Sequence, residues 1–338
     1  MNLLNASANG ARLPLAAATA AVLLTSACSS ASPATAEGGT SEGKVTVAMN
    51  LYSRELPYFQ QIVKGAQAAG DADGNLDLKV TYGEVDPQMQ YSQLESALST
   101  SPDALMVVPM DAASVVPVLQ QASTSGVPVV TVANDLTEAG QQVQTAHVGA
   151  NYEEVGRVKA QYLAETLGSK AKVGYIHAIR GNSFTEEQFV GAKEVFAENP
   201  GLEIIDGGYA GAFSSDAGLT TAENLLTAHP DLDAIYFDND DLALGGITAI
   251  QQRGIDSDDI VVIGGDGTPD AIAAVEAGTL DMTVSLCGYV TGVRSTELML
   301  DFLRNGTKPA ERVLEIPTLQ IDSDSVTEAK EKITAGEC

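Results

Sequence analysis

From Lys44 onward, short apolar runs alternate with amphipathic stretches of helical length, and this alternation restricts the chain to few folds. The runs Val45–Met49, Leu78–Tyr82, Ala104–Val108, Val127–Val132, Val173–His177, Glu203–Ile205, Ala234–Phe237, Ile260–Gly264 and Met282–Leu286 read as strands. Runs without an in-and-out alternation mark strands buried on both faces, as in parallel sheets. Between them, Phe59, Ile62, Val63 and Ala66 recur at spacings of three and four, the apolar stripe of a helix. Further helices are expected over Pro87–Thr100, Ala112–Ser125, Tyr152–Leu167, Glu186–Ala197, Ser215–Ala228, Leu242–Gln252, Pro269–Ala277 and Tyr289–Arg304. Strand and helix in turn make βαβ units, so the expected class is α/β with helices on both faces of parallel sheets.

A single open sheet of so many strands would be large, and the chain restarts near Gly149–Tyr152 with a new helix before the strand at Val173. Two doubly wound Rossmann-like lobes fit a length of 338 residues better. Open parallel sheets bind ligands beyond the carboxyl ends of their strands. The informative residues therefore come just after each strand.

Charge narrows the partners. Eighteen Lys and Arg stand against 45 Asp and Glu, a formal net charge of −27, with no basic block. Such a chain is a poor match for phosphate backbones, and no nucleic-acid partner is expected.

Residues 1–27 read as a signal peptide. Arg12 is the only charge ahead of Cys28, and the apolar run from Leu13 to Leu24 is too short to span a bilayer. Leu24-Thr25-Ser26-Ala27-Cys28 resembles a bacterial lipobox, which makes Cys28 the expected lipidation site. An ordinary cleaved signal with an incidental cysteine is the alternative. A lipobox implies an extracytoplasmic chain held on the outer face of the cell membrane by acyl chains. Residues 28–43 then form the lipidated cysteine and a flexible tether. Within it, Gly39-Thr40-Ser41-Glu42-Gly43 spells the Gly-x-Ser-x-Gly of hydrolases. That serine needs a strained turn between strand and helix, which a tether does not supply.

Arginine, aromatic, amide and carboxylate residues gather at the strand ends. Arg54, Tyr58 and Phe59 follow the first strand, Asn134 and Asp135 the fourth, Arg180 and Glu186 the fifth. Phe213 shares a Gly/Ala loop with Tyr209, where an aromatic has no obvious core to fill. Asn239 and Asp266 follow the strands ending at Phe237 and Gly264. Amides and carboxylates serve paired hydroxyls, and aromatic rings cover the C–H faces of a sugar. The set suits a neutral polyol. Plainer readings stand beside it: Asp266 as a helix-start carboxylate, Asn239 as a turn residue, Tyr58 as core, Arg54 and Arg180 as solvated loop charges.

Leu225-Leu226-Thr227-Ala228-His229-Pro230-Asp231, Asn239-Asp240-Asp241-Leu242-Ala243-Leu244-Gly245 and Gly265-Asp266-Gly267-Thr268-Pro269-Asp270 closely resemble segments of the ribose-binding type of type I periplasmic binding proteins. The similarity runs from about Lys44 to about Thr318. The resemblance implies two lobes joined by a three-strand hinge, closing on a sugar that passes to an ABC permease. It implies an N-terminal lobe of residues 44–147 plus 287–316 and a C-terminal lobe of 148–286 plus 317–338. By motif, Tyr58 and Phe59 match the Pro-aromatic-aromatic element, Phe213 the stacking phenylalanine, and Asn239 and Asp266 the hydroxyl-holding amide and carboxylate. The chain departs from the pattern at four places, beginning with a first loop about two residues longer that brings Arg54 and Glu55. Ala133-Asn134 followed by Asp135 stands where ribose binders carry Asp-Arg, Glu186 where they carry an arginine, and Leu286 at the hinge glutamine. Arginines lost and carboxylates gained make the cleft acidic. The expected ligand is a polyol or an unusual or amino-substituted sugar, not a phosphorylated or acidic one.

With Cys28 acylated, Cys287 and Cys338 remain, and outside the reducing cytosol a pair between them is expected, two free thiols being the alternative. Asp71 to Asp77 imitates a calcium loop but lacks its sixth-position glycine, and Tyr82 stands where the bidentate Glu belongs. His147, His177 and His229 have no metal spacing. No cofactor and no metal are expected. The expected partners are a small sugar or polyol, a membrane permease and the lipid anchor, with the protein a monomer and not an enzyme. The alternatives are an exported carbohydrate-acting enzyme using Asp266 and Glu186 as an acid–base pair, or a sugar sensor for a membrane signalling partner.

Overall fold

The structure is a computed structural model that describes residues 43–168, 170–307 and 309–338. The expected signal peptide, the expected lipidation site Cys28 and most of the expected tether lie outside the described residues. In chain order the elements are β1 (Val45–Leu51), α1 (Pro57–Asp73), β2 (Leu76–Tyr82), α2 (Pro87–Ser99), β3 (Ala104–Val107), α3 (Val116–Thr124), β4 (Val129–Val132), β5 (Ala146–Gly149), α4 (Tyr152–Leu167), β6 (Ala171–His177), α5 (Ser183–Glu198) and β7 (Leu202–Tyr209). They continue with α6 (Ser215–Ala228), β8 (Ala234–Phe237), α7 (Asp240–Gln252), β9 (Val261–Ile263), α8 (Pro269–Glu276), β10 (Met282–Ser285), α9 (Gly288–Asn305), β11 (Val313–Glu315), β12 (Leu319–Asp322) and α10 (Val326–Ala335).

Local chemistry sets the helix ends. Pro57, Pro87 and Pro269 occupy first turns, where a missing N–H costs nothing. Asp86 caps α2 by accepting from the backbone nitrogens of Gln88 (2.8 Å) and Met89 (2.9 Å). Gly74 and Gly306, both left-handed, end α1 and α9. Beside Gly74, the pseudo-calcium segment has a structural role: Asp73 pairs with Arg304 of α9, and that guanidinium holds its carboxyl below the usual range.

The strands form two six-stranded sheets, in the orders β11-β5-β4-β3-β1-β2 and β12-β10-β9-β8-β6-β7. One pattern is thus written twice, and each lobe is a doubly wound unit with an edge strand borrowed from the end of the chain. β3, β4, β8 and β10 are buried along their whole length. Each large apolar side chain removed from water there contributes about 1.5–3 kcal/mol.

The two lobes also repeat a helix contact. In one, α1 crosses α9 with Gly65 and Gly292 at the crossing; a Cβ on either would collide with a carbonyl oxygen, of Tyr289 or Ile62. In the other, α4 crosses α5 through Gly156 and Gly191, whose Cβ atoms would meet the carbonyls of Gln188 and Glu153. Helix backbones approach this closely only where side chains are missing.

Three features differ from the expectation. β5, β11, β12 and α10 were not legible as elements. β12 pairs antiparallel with β10, whereas the sheets were expected to be parallel throughout. The reason is its route: the chain enters the second lobe directly from β11, without a helical crossover, and so meets β10 head-on. Lastly, β5 runs on past 147/148 to Gly149, whose carbonyl accepts from the Ile316 nitrogen at 2.8 Å, so the first sheet continues beyond that position. Chain crossings between the sheets are at 150–151, 286–287 and 316–318. Among the described residues, no helix is long and apolar enough to cross a membrane.

Candidate ligand-binding site

Six strand exits converge beside the crossings. Tyr52 follows β1, Asn134 follows β4, Phe213 follows β7, Asn239 follows β8, Asp266 follows β9 and Leu286 follows β10. With Leu56, Tyr58, Phe59, Tyr152 and Phe184 they enclose a chamber of about 20 Å³, room for little more than a water molecule. A sugar ring needs more, so its admission requires the lobes to part at the crossings.

The walls are aromatic. Tyr52 meets Phe59 edge-on with ring centres 4.7 Å apart, and Phe213 reaches across from the other lobe to lie 6.2 Å from Tyr52 at 31°. Tyr152 and Phe184 form a second edge-on pair at 5.1 Å, and Phe184 stands 5.9 Å from Phe213. The polar groups come from both sides. Asn134 donates to the Pro109 carbonyl at 2.8 Å and accepts from the Tyr152 hydroxyl at 3.3 Å. Asn239 accepts from the Leu242 nitrogen at 3.2 Å as the cap of α7 and donates to Asp266 Oδ2 at 3.3 Å. It therefore caps α7 while its amide joins Asp266 in the chamber wall.

Asp266 carries a φ of 116°, in the region glycine favours. Its nitrogen donates to the Val284 carbonyl at 2.9 Å, so pairing with β10 holds this strained backbone in place. Burial raises its carboxyl well above the usual range, and the neighbouring Asp240 and Asp241 add to the effect. Below lie two more buried carboxyls. Burial pushes Asp238 up to about 7 and Asp240 to about 6. Lys159, also fully buried, is pushed down to about 8 by burial, against the pull of these carboxylates. Its ammonium donates to Gln188 Oε1 (2.9 Å) and to the carbonyls of Phe237 (2.8 Å) and Asp238 (3.0 Å). All three of its protons are thus used, which is what a buried ammonium requires.

Of the expected site residues, Tyr58, Phe59, Asn134, Phe213, Asn239 and Asp266 line the chamber. Four do not, each because a nearer partner takes it. Arg54 is exposed, pairs with Glu84 at 2.5 Å and lies over the Tyr82 ring. Asp135 is turned into its own lobe, accepting from Gln141 and Gln144 at 2.9 Å each, with His147 at 3.8 Å. Arg180 lies 3.9 Å over the Tyr209 ring. Glu186 accepts from the Gly181 nitrogen at 2.9 Å and the Tyr209 hydroxyl at 3.2 Å, folding back over its own loop. Asp266 and Glu186 are thus not paired in the chamber.

Tyr52, Tyr152 and Phe184 line the site and were not expected. Their signal was available, since each sits at a strand exit or in a first helical turn. On one flank the lobes are joined by polar bonds: Asn182 Nδ2 donates to the Met110 carbonyl at 2.8 Å, and the Asp135 nitrogen to Ser183 Oγ at 3.1 Å. On the other, Cys287 of the second crossing is disulfide-bonded to Cys338, with Cα atoms 4.2 Å apart. Among the described residues no cluster of His, Cys, Asp and Glu could hold a metal.

Comparison with known proteins gives a consistent picture. The profile of a family described as periplasmic binding protein domain matches residues 47–308. The ribose import binding protein RbsB of Bacillus subtilis is 30% identical over 301 residues, covering 88% of this chain and 95% of that one. A solved periplasmic ribose ABC transporter protein from Conexibacter woesei is 39% identical, with a TM-score of 0.77 over 87% of this chain and 97% of that one. A solute-binding protein of Bacillus halodurans solved with myo-inositol is 24% identical, covers 86% and 98% of the two chains, and with a TM-score of 0.79 shares the fold.

Proposed function

Because this chain belongs to the periplasmic binding protein domain family, we propose that it captures a small sugar or polyol between its lobes and hands it to an ABC importer. One observation carries the reading: Phe213, Asn239 and Asp266 of one lobe meet Tyr52, Phe59 and Asn134 of the other in a single chamber. Rings for the C–H faces and amide or carboxyl groups for the hydroxyls are what a sugar needs. Relatives that import ribose support the same ligand class. The protein is a binding component, not an enzyme.

The ligand is neutral or amino-substituted. Arg54 and Arg180 are occupied outside the chamber, and its lining residues include carboxyl but no cation to hold a phosphate. The N-terminal lobe is residues 44–150 plus 287–316 and the C-terminal lobe 151–286 plus 317–338. Residues 1–27 direct export, and Cys28 carries the acyl anchor that keeps this monomer beside its permease. The lipobox resemblance of Leu24 to Cys28 supports the anchor.

Titration calorimetry of the purified chain against pentoses, hexoses, polyols, inositols and amino sugars tests the ligand class. One or a few should bind at micromolar concentration or below and be recovered unchanged. A sugar phosphate bound in preference to its parent sugar overturns the electrostatic argument, and turnover of any bound sugar overturns the binding role. Radiolabelled palmitate incorporation that survives Cys28→Ser rejects the anchor.

A further inference from the structure

Beyond the chamber, a second and much larger cavity of about 490 Å³ opens, with Tyr58 and Asp266 lining both spaces. One side of this groove is built by the first lobe, from Gln61 and Lys64 of α1 and Tyr289 of α9. The other side is built by the second lobe, from Thr268 and Pro269 at the start of α8 and from the segment 333–336 at the end of α10. We propose that this groove is a second sugar subsite, so that the ligand is a glycoside or disaccharide: one ring takes the chamber, and the unit attached to it extends past Asp266.

Four observations support the assignment. The groove lies in the range of small-ligand sites, whereas the chamber alone holds about 20 Å³. Its lining is of the kind that recognises a saccharide, with Tyr289 and Pro269 offering flat apolar surface and Gln61, Lys64 and Thr268 offering polar atoms at its edges. Lys64 lies 5.9 Å from the centre of the Tyr289 ring, and its exposed ammonium stands at the rim where a ring hydroxyl can reach it. Finally, the tail wall is fixed. Cys338 lines the groove and is tied to Cys287, while Ser285 Oγ lies 3.3 Å from its sulfur. A wall stapled to the crossing keeps its place when the lobes close, and an occupant touching both lobes favours closure.

This inference rests on the sugar-binding reading, and the test separates the two. Calorimetry on the full chain would compare D-ribose with methyl ribofuranoside, D-galactose with β-galactosides, and myo-inositol with galactosyl-myo-inositol. The glycoside of at least one pair should bind tenfold or more tightly than its parent. Gln61→Trp, which fills the groove from an exposed helix position, and Lys64→Ala should abolish that advantage and leave the parent sugar's affinity as the internal reference. Parents that bind while every glycoside binds more weakly overturn the subsite and leave the sugar-binding reading standing. A glycoside advantage that survives Gln61→Trp overturns it as well. Absence of binding by all parents and glycosides overturns both.

Discussion

Asp266 Oδ2 accepts a hydrogen bond from Asn239 Nδ2 at 3.3 Å, and the two residues leave the neighbouring strands β9 and β8. The bond holds a carboxyl and an amide side by side in the chamber wall, so neither would need ordering to meet a ligand there. Asp266→Ala should weaken ligand binding by about 100-fold, because a buried amide then loses its partner as the ligand loses an acceptor. Asn239→Ala should cost about tenfold and also loosen the start of α7. Calorimetry reads both, and unchanged affinity in Asp266→Ala would place the ligand elsewhere.

Phe213 is half-buried in a loop and reaches Tyr52 and Phe184 from the lobe opposite Tyr52. Phe213→Ala should lower affinity by about 10- to 100-fold through lost stacking area. The melting temperature without ligand should fall only modestly, since the half-buried ring packs at the edge of the buried cores and not inside them. A large fall in that temperature with affinity unchanged would make Phe213 a packing residue.

Asp238 gives the C-terminal lobe a pH signature. Its folded carboxyl titrates near 7, above the usual carboxylate range, so between those values the folded chain holds a proton that the unfolded chain has released. This contribution to stability is present at low pH and is lost as pH climbs toward 7. The melting-temperature advantage of the wild type over Asp238→Asn should therefore shrink from pH 5 to pH 8. A difference that is constant with pH would mean that Asp238 is ionised throughout.

Two cysteines define the fourth test. Cys287 and Cys338 close a loop with a sequence separation of 51. The double variant Cys287→Ser/Cys338→Ser should be less stable by about 3–4 kcal/mol in urea unfolding, on the chain-entropy account. Equal stability of the variant and the wild type would show that the bond constrains little in the unfolded chain.

What could be read in the sequence follows from where side chains are buried. β3 and β8 are unbroken apolar runs, Ala104–Val107 and Ala234–Phe237, because both their faces are covered. β11 has exposed Val313 and Glu315, and it is a strand only because β5 lies beside it, a long-range fact invisible in Val-Leu-Glu. α10 contributes only Val326 and Ala329 to fully buried surface, too thin a stripe to stand out. In the chamber, Phe213 and Asp266 stand where motif and strand position both pointed. Arg54, Asp135, Arg180 and Glu186 lie outside the chamber for one shared reason. Each stands at a strand exit, but the direction of its side chain is decided by Glu84, Gln144, Tyr209 or the Gly181 nitrogen. Such competition between partners leaves no trace in residue spacing.

The three crossings bear on how the protein is made. The first lobe needs α9 and β11, which lie beyond the whole of β6 to β10. During synthesis, β1 to β5 emerge early yet wait for α9, and until then the glycine face of α1 has nothing to pack against. Separations this long slow folding and prolong exposure of apolar surface to aggregation. Truncation between the lobes should therefore yield an aggregating fragment, and refolding should complete the two halves together.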